Sequence, residues 1–233
     1  MMKKILITGC SKGIGKFLSQ QYSKNGFKVL GVSRTTPEYD IANFKHYSCD
    51  VSDERAVVET VKQIREDEPE GIDILINNAG MASMNHTILT PASTVHKLFG
   101  TNVYGTFFFS REIAKLMKKN GKGRIVNFST VAVPLNLEGE AIYAASKSAV
   151  ETLTIIMAKE LATFGITVNA IGPTPIETDL IKNVPKNKLD DLLRSQAIKR
   201  FGNFDDVKNV IDFYTSDKSE FITGQIMYLG GVR

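Results

Sequence analysis

Short apolar runs alternate with segments of helical periodicity along this chain, and the alternation restricts the fold more than any other feature. The runs predict seven strands, at residues 4–7, 27–32, 46–49, 72–76, 124–128, 166–171 and 225–229. A helix is predicted at 54–66, where apolar residues recur at helical spacing and Ser52 or Asp53 can cap the first turn. Strands that alternate with helices form parallel sheets covered by helices. We therefore expect an α/β fold, a doubly wound seven-stranded parallel sheet with helices on both faces.

A glycine-rich turn, Thr8-Gly9-Cys10-Ser11-Lys12-Gly13-Ile14-Gly15, follows the first predicted strand at once. Glycines there allow a tight turn and let backbone N–H groups approach a phosphate, and the helix that begins near Gly13 adds its positive dipole end. A turn without a ligand is the alternative, but the position between a buried strand and an amphipathic helix favours a phosphate site. The sheet is thus predicted to be of the Rossmann type. The predicted contacts to a dinucleotide in this turn are Gly9, Ser11, Lys12, Gly13, Ile14 and Gly15.

The second predicted strand ends at Ser33-Arg34, where a dinucleotide-binding chain selects its cofactor. An acidic residue about 20 positions beyond the glycines binds the ribose hydroxyls of NAD, whereas a basic residue accommodates the 2′-phosphate of NADP. Here the acid is missing and Arg34 is present, and Lys12 can add a second positive charge on the same side. The alternative is that both are solvated surface cations. The sequence therefore favours NADP(H) over NAD.

The segment from Ser129 to Lys147 leaves an apolar strand with a serine and enters a helix that carries Tyr143 and Lys147. Residues four apart lie on one helix face, so the phenol and the ammonium can approach each other beside the serine hydroxyl. A cation beside a phenol lowers the pKa of the phenol toward the range of proton exchange near neutrality. The segment is predicted to transfer a proton.

Length, charge and cysteine content exclude several classes of protein. At 233 residues the chain has the length of one large α/β layer structure, so residues 1–233 are predicted to form a single domain. No apolar run reaches the ~18 residues of a membrane span, and the apolar run near the N-terminus is too short for a signal peptide, so we expect a cytoplasmic protein without a membrane partner. The net charge of +4 is spread without a dense basic tract, which argues against nucleic acid. Cys10 and Cys49 have neither the spacing of a metal site nor that of a disulfide framework, and no metal is expected.

Taken together, the motifs resemble the short-chain dehydrogenase/reductase family over nearly the whole chain, residues 8–231. The matching pieces are Thr8-Gly9-x-x-x-Gly13-Ile14-Gly15, Asp50, Asn77-Asn78-Ala79-Gly80, Asn102, Ser129, Tyr143-x-x-x-Lys147 and Ile176-Glu177-Thr178-Asp179. The glycine motif alone is common in proteins. The ordered set at these intervals is highly specific.

The resemblance implies hydride transfer between a nicotinamide and a carbonyl or alcohol, with Asn102, Ser129, Tyr143 and Lys147 as the catalytic residues. Tyr143 would protonate the carbonyl oxygen during reduction, Ser129 would hold that oxygen, and Lys147 would bind the nicotinamide ribose and lower the pKa of the tyrosine. Asn102 would support a water chain that resupplies the proton. Taken singly, Ser129 can instead cap a strand end, Asn102 can be a packing amide and Thr178 can cap a helix. Further implied cofactor contacts are Asp50, Val51, Asn77, Ala79, Gly80, Pro173, Ile176 and Thr178.

Within the family, the C-terminal part is most similar to the 3-oxoacyl-carrier-protein reductases. The similar stretches are Ile176-Glu177-Thr178-Asp179-Leu180, Lys199-Arg200-Phe201-Gly202 and Phe221-Ile222-Thr223-Gly224-Gln225. Two positions depart from the pattern. Thr174 follows Pro173 where the family usually has glycine, and Phe164 stands where those reductases often carry a basic residue.

The favoured function is therefore NADPH-dependent reduction of a ketone to a secondary alcohol, with a 3-oxoacyl thioester as one candidate substrate. A sugar, polyol or other small-alcohol dehydrogenase is the alternative, and a dinucleotide-sensing protein without turnover is less favoured. The substrate could be carried on an acyl carrier protein or a nucleotide, and the polar segment 174–200 is predicted to form a lid over it. The long apolar helix at 142–164 and the seventh strand could each supply a self-complementary face, and the resemblance implies a homodimer or homotetramer.

Overall fold

A sheet of seven parallel strands forms the centre of the protein, for which the computed structural model describes residues 2–176 and 186–232. The strands are β1 Lys4–Thr8, β2 Lys28–Ser33, β3 Phe44–Ser48, β4 Ile74–Asn77, β5 Gly123–Phe128, β6 Ile166–Gly172 and β7 Ile226–Tyr228. They lie side by side in the order β3-β2-β1-β4-β5-β6-β7, and every pair is parallel. The predicted seven-stranded parallel sheet is confirmed.

Helices cover both faces of this sheet. In the described residues they are α1 Gly13–Lys24, α2 Glu54–Asp67, α3 Ala92–Phe99, α4 Gly105–Asn120, α5 Ala132–Leu135, α6 Ala141–Leu161, α7 Lys186–Ser195 and α8 Phe204–Thr215. Asp53 caps α2, since its side chain accepts hydrogen bonds from the backbone N–H groups of Arg55 and Ala56. No helix in residues 2–176 and 186–232 has both the length and the apolar character needed to cross a bilayer.

Alternating residues of the strands serve two separate hydrophobic layers. In β1, Leu6 packs into the layer beneath α2, α4 and α6, whereas Ile5 and Ile7 pack into the layer beneath α1 and α8. Side chains of a strand point alternately to its two faces, so a strand buried on both sides needs an unbroken apolar run. This requirement explains why the central strands could be recognised from short apolar runs alone.

The strand order reverses at β1, because β2 and β3 lie on one side of it and β4 to β7 on the other. Such a reversal opens a crevice at the carboxyl ends of the strands, which is where ligands bind in open α/β sheets. The glycine turn follows β1, residues 78–80 follow β4, and Ser129 and Thr130 follow β5. The sheet therefore brings the three predicted functional segments to one edge.

One wide turn interrupts the helical region between Ala92 and Asn120. A π-helical turn, Gly100–Tyr104, joins α3 to α4 and contains Asn102. Turns of this kind insert an extra residue into a helix and are frequent at functional sites. Hydrophobic periodicity does not report such an insertion, and the sequence therefore did not predict it.

The segment 174–200 was predicted to be an irregular lid, and its described part contains a helix. Leu192 of α7 packs against Val131, which lies just beyond β5, so this helix is held over the carboxyl edge of the sheet. Residues 177–185, which include Thr178, lie outside the described residues. The predicted contact of Thr178 with the cofactor is for that reason left as a prediction.

Thr174, the departure from the usual glycine, fits because its neighbours are glycines. A Cβ on Gly230 would lie 2.8 Å from the Thr174 methyl carbon Cγ2, and a Cβ on Gly202 would lie 2.9 Å from Thr174 Oγ1. Both distances are below van der Waals contact, so neither position accepts a larger residue without a shift. Gly202 and Gly230 thus provide the space that the Thr174 side chain occupies.

Candidate active site

The glycine turn after β1 and the turn after β4 hold each other in place. The Asn78 side-chain amide donates to the carbonyl oxygens of Thr8 (2.9 Å) and Gly9 (3.1 Å), and the Ala79 N–H donates to Thr8 Oγ1 (3.0 Å). Gly9 has a φ of +69°, and a Cβ on it would lie 2.8 Å from Ala79 Cα. Only glycine meets both conditions without strain.

The N-terminus of α1 meets the requirements of a pyrophosphate site. Lys12 stands at the N-cap in an extended conformation, no side chain caps the helix, and the first turn carries no acidic residue. Ser11, Gly13 and Ile14 are half-buried, so this end of the helix faces the crevice. A Cβ on Gly15 would lie 2.1 Å from the Gly9 carbonyl oxygen, which explains why the helix can start so close to the strand. Backbone N–H groups and the helix dipole would bind phosphate oxygens here.

Arg34 and Asp50 lie together at the far end of the crevice. The Arg34 guanidinium is 70% exposed, and its Nη1 lies 3.8 Å from Asp50 Oδ2. Asp50 Oδ1 accepts hydrogen bonds from the Ser52 N–H (2.9 Å) and hydroxyl (2.7 Å). An exposed guanidinium at the end of β2 is available to a 2′-phosphate, which is the group that Arg34 was predicted to bind.

Three of the predicted cofactor residues direct their side chains away from the crevice. Val51 packs against Gly105, and Ile176 packs into the layer beneath α1 and α8. The Asn77 amide nitrogen donates to Ser110 Oγ and to Asn127 Oδ1, both at 2.8 Å, on the side of α4. Alternation along β4 turns the Asn77 side chain into the interior. The predicted contact of Asn77 with the cofactor stays a prediction. Gly80, two residues beyond Asn78, is exposed at the crevice.

Tyr143 and Lys147 lie on one face of α6 and are both buried. Lys147 Nζ donates to the carbonyl oxygen of Phe128 at 2.8 Å. Burial raises the pKa of Tyr143 to about 12, and burial lowers the pKa of Lys147 to about 8. The expectation that the lysine makes the tyrosine acidic is therefore wrong for the protein by itself, since desolvation of the phenol is the largest influence on its pKa and raises it.

The hydroxyl beside Tyr143 belongs to Thr130. The interaction of the Thr130 hydroxyl with the Tyr143 phenol partly opposes the rise in the pKa of Tyr143. The Ser129 hydroxyl, predicted to hold the substrate oxygen, instead donates to Glu151 Oε1, which also accepts from the Tyr228 hydroxyl at 2.7 Å. Consecutive residues at a strand end point to opposite sides, so only one of the two hydroxyls can face Tyr143. We correct the assignment from Ser129 to Thr130.

Asn102 fixes the backbone that follows β4. Its Oδ1 accepts from the Met81 N–H (2.8 Å), and its Nδ2 donates to the Met81 carbonyl oxygen (2.9 Å) and to Ser146 Oγ (2.9 Å). The side chain is fully buried and these bonds occupy both ends of the amide. Asn102 thus connects the π-helical turn, Met81 and α6. Its predicted support of a water chain stays a prediction.

A dinucleotide crevice that ends at a buried tyrosine, lysine and hydroxyl defines a nicotinamide-dependent oxidoreductase. A family model described as enoyl-(acyl carrier protein) reductase matches residues 9–231. The 3-oxoacyl-[acyl-carrier-protein] reductase FabG of Buchnera aphidicola is 32% identical over 235 residues, which cover 98% of this chain and 96% of the relative. The chain belongs to the short-chain dehydrogenase/reductase family.

Two solved structures show the range of similar proteins. ElxO with NADP bound is 31% identical with a TM-score of 0.88, over 98% of this chain and 97% of the other. An NAD⁺-bound xylitol dehydrogenase is 25% identical with a TM-score of 0.86, over 98% of each chain. Proteins similar to this one thus include enzymes named for either cofactor and for unrelated substrates.

Proposed function

We propose that the protein reduces a ketone to a secondary alcohol with NADPH. The observation that carries the proposal is the buried Tyr143 phenol, which has the Thr130 hydroxyl beside it and lies on the same helix face as Lys147. A pKa of about 12 keeps this phenol protonated at neutral pH, which is the state that can donate a proton to a carbonyl oxygen.

In this mechanism the chain supplies orientation and a proton, and bound NADPH supplies the hydride. The Thr130 hydroxyl donates to the ketone oxygen and holds it beside the Tyr143 phenol. Tyr143 gives its proton to that oxygen as the carbonyl carbon is reduced, which leaves a tyrosinate. The Lys147 ammonium, with a pKa of about 8, is mostly cationic at neutral pH and stabilises the tyrosinate electrostatically.

NADPH is the proposed cofactor, and Arg34 is the residue proposed to select it. Substitution Arg34→Asp removes the positive charge and places a second carboxylate beside Asp50. We expect KM for NADPH to rise at least about tenfold, while KM for NADH stays the same or falls. Steady-state kinetics with both cofactors measure this change. Lys62→Asp makes the same charge change on exposed α2 and is expected to leave both constants unchanged; equal NADPH preference in Arg34→Asp and wild type would refute the assignment.

The substrate is proposed to be a small ketone or a 3-oxoacyl thioester, and three observations bear on the choice. The relative from Buchnera aphidicola is named for a 3-oxoacyl substrate on a carrier protein, which supports the thioester. Phe164 stands where the carrier-protein reductases often carry a basic residue, and the Lys118 ammonium lies 4.3 Å from the centroid of its ring. The similarity to a xylitol dehydrogenase supports the sugar and polyol alternative. A sensor without turnover has no use for a paired phenol and hydroxyl.

The experiment that tests the proposed function is a screen for NADPH oxidation over acyl thioesters, ketoses and small diketones. Turnover of at least one ketone is expected. We propose that segment 174–200, with Leu192 packed over the edge of β5, closes over that substrate. Tight NADPH binding with no turnover of any ketone would favour the sensor instead.

We also propose that the protein assembles as a homodimer or homotetramer. Ile155 and Ile156 on α6 are 40% and 47% exposed, and Phe213 and Met227 near the sheet edge are 45% and 37% exposed. Apolar faces of this kind favour self-association. Light scattering at micromolar concentration is expected to give an oligomer, and Ile156→Lys is expected to lower its mass. A wild-type monomer would contradict the proposal.

A further inference from the structure

The Ser33 hydroxyl at the end of β2 lies among three polar groups. Its oxygen is 2.8 Å from the Thr35 carbonyl oxygen and 2.9 Å from His46 Nε2. The Cys10 Sγ atom lies 3.3 Å from the same oxygen. Ser33 is buried, although Arg34 and Thr35 next to it are exposed. This hydroxyl therefore connects the interior of the protein to the exposed turn that carries Arg34.

The number of donors and acceptors around this hydroxyl assigns its proton. A serine hydroxyl donates one hydrogen bond and accepts two. The Thr35 carbonyl oxygen can only accept, so the Ser33 proton goes to it. The two acceptor positions that remain fit the His46 N–H and the Cys10 S–H. With the His46 proton on Nδ1 instead, Nε2 would accept, and the ring and the carbonyl would compete for the one hydroxyl proton.

The register of β2 and β3 brings His46 to this hydroxyl. His46 lies opposite Gly31 in the ladder, and Gly31 and Ser33 face the same side because they are two residues apart. A Cβ on Gly31 would lie 2.8 Å from Cys10 Sγ, so a glycine at this position lets the cysteine reach the hydroxyl. Burial lowers the pKa of His46, so the ring is neutral at neutral pH and carries a single N–H.

The backbone around Arg34 is held mainly by this hydroxyl. The ladder ends at Ser33, whose carbonyl oxygen accepts from the Cys49 N–H at 3.2 Å. The next carbonyl oxygen, that of Arg34, has the Ser48 hydroxyl at 3.5 Å, which is a weak hydrogen bond. The bond from the Ser33 hydroxyl to Thr35, at 2.8 Å, spans Arg34 and is the shortest of the three. The direction in which the exposed Arg34 side chain leaves the strand thus depends on this bond.

We propose that His46 is a positioning residue for NADPH: it donates to the Ser33 hydroxyl, which holds the turn at Thr35 and so presents Arg34 to the 2′-phosphate. The inference rests on the proposed selection of NADPH by Arg34 and adds a residue that acts through another one. Ordering a binding group before its ligand arrives raises affinity, because less conformational entropy is lost on binding. NADH has no 2′-phosphate, so its binding does not depend on this order.

The test measures the dissociation constants of NADPH and NADH from the change in nucleotide fluorescence on binding, without a ketone. We expect His46→Leu to weaken NADPH binding about fivefold, as for the loss of one hydrogen bond, and to leave NADH binding unchanged. His46→Gln keeps an N–H donor and is expected to bind NADPH within about twofold of wild type. Ser33→Ala removes the bond to Thr35 itself and is expected to weaken NADPH binding at least as much as His46→Leu, and it replaces that variant if the leucine variant does not fold.

Nitrogen NMR of the histidine rings at neutral pH gives a second readout, because the chain has only three histidines. A proton on Nε2 of His46 is expected, and a proton on Nδ1 would overturn the inference. His96→Leu, on the exposed surface of α3, makes the same substitution and is expected to leave both dissociation constants unchanged.

The binding data separate this inference from the proposed selection of NADPH. Equal weakening of NADPH and NADH in His46→Leu would show a purely structural role, and unchanged NADPH binding in His46→Leu or Ser33→Ala would show no role. Either result would overturn the inference while a loss of NADPH affinity in Arg34→Asp leaves the selection by Arg34 standing. Unchanged NADPH affinity in Arg34→Asp would overturn both.

Discussion

Replacement of Tyr143 by phenylalanine is expected to lower kcat for ketone reduction by about a thousandfold, with little change in NADPH affinity. The phenol is the proposed proton donor, and a positioned general acid contributes ~10²–10⁴-fold to the rate. The ring itself packs against Leu98 and Ala132, and phenylalanine keeps those contacts. The substitution therefore removes one hydroxyl and little else. Steady-state assays of NADPH oxidation measure turnover. The change in fluorescence when NADPH binds the protein measures its affinity.

Tyr22→Phe is the matched control for this experiment. Tyr22 is also buried, and its hydroxyl donates to Asp212 at 2.8 Å, between α1 and α8 and away from the crevice. Loss of that hydrogen bond is expected to reduce the free energy of unfolding by ~1 kcal/mol and to leave kcat unchanged. Equal turnover by Tyr143→Phe and wild type would refute the proposed acid. A parallel loss of NADPH binding would instead indicate damage to the crevice.

The fold was predictable because the central strands and the turns between them carry strong local signals. Leu6 and its neighbours Ile5 and Ile7 must be apolar because both faces of β1 are covered. Gly9 and Gly15 are required by distances of 2.8 and 2.1 Å from a Cβ to the neighbouring backbone, which no other residue tolerates. Helix α7 was not predicted, although Leu189, Leu192 and Leu193 recur at the i, i+3, i+4 spacing of one helix face. The charged residues around these leucines favoured the interpretation of a polar, irregular segment.

The chemistry of the site was less predictable, because it depends on directions and surroundings that residue spacing does not contain. Spacing placed Tyr143 and Lys147 on one helix face, but burial decides their pKa values and raises one while it lowers the other. The Asn77 side chain is bonded to Ser110 and Asn127 in the interior, a direction that its place in the motif does not reveal. A shift of one residue along a strand reverses the face on which a side chain lies. A motif at a strand end therefore identifies a functional side chain only to within one residue, which does not decide on which side of the sheet that side chain lies.

The same one-residue ambiguity separates Ser129 from Thr130, and substitution of each residue resolves it. Thr130→Ala removes the hydroxyl beside Tyr143, and we expect kcat/KM for ketone reduction to fall about a hundredfold, as for loss of one donor to a substrate oxygen. Thr130→Ser keeps the hydroxyl and is expected to remain within about threefold of wild type. Ser129→Ala removes a donor to Glu151, which retains its bond from Tyr228.

Ser129→Ala is therefore expected to affect stability more than catalysis. Loss of one buried hydrogen bond to a carboxylate should lower the free energy of unfolding by about 1.5–3 kcal/mol, measured in urea, with kcat/KM within about threefold of wild type. The reverse pattern would be full activity in Thr130→Ala and a large loss of activity in Ser129→Ala with unchanged stability. That result would show that Ser129, and not Thr130, holds the substrate oxygen. Comparable losses of kcat/KM in both variants would mean that the bond between Ser129 and Glu151 positions Thr130, because Ser129 and Thr130 are adjacent in the backbone.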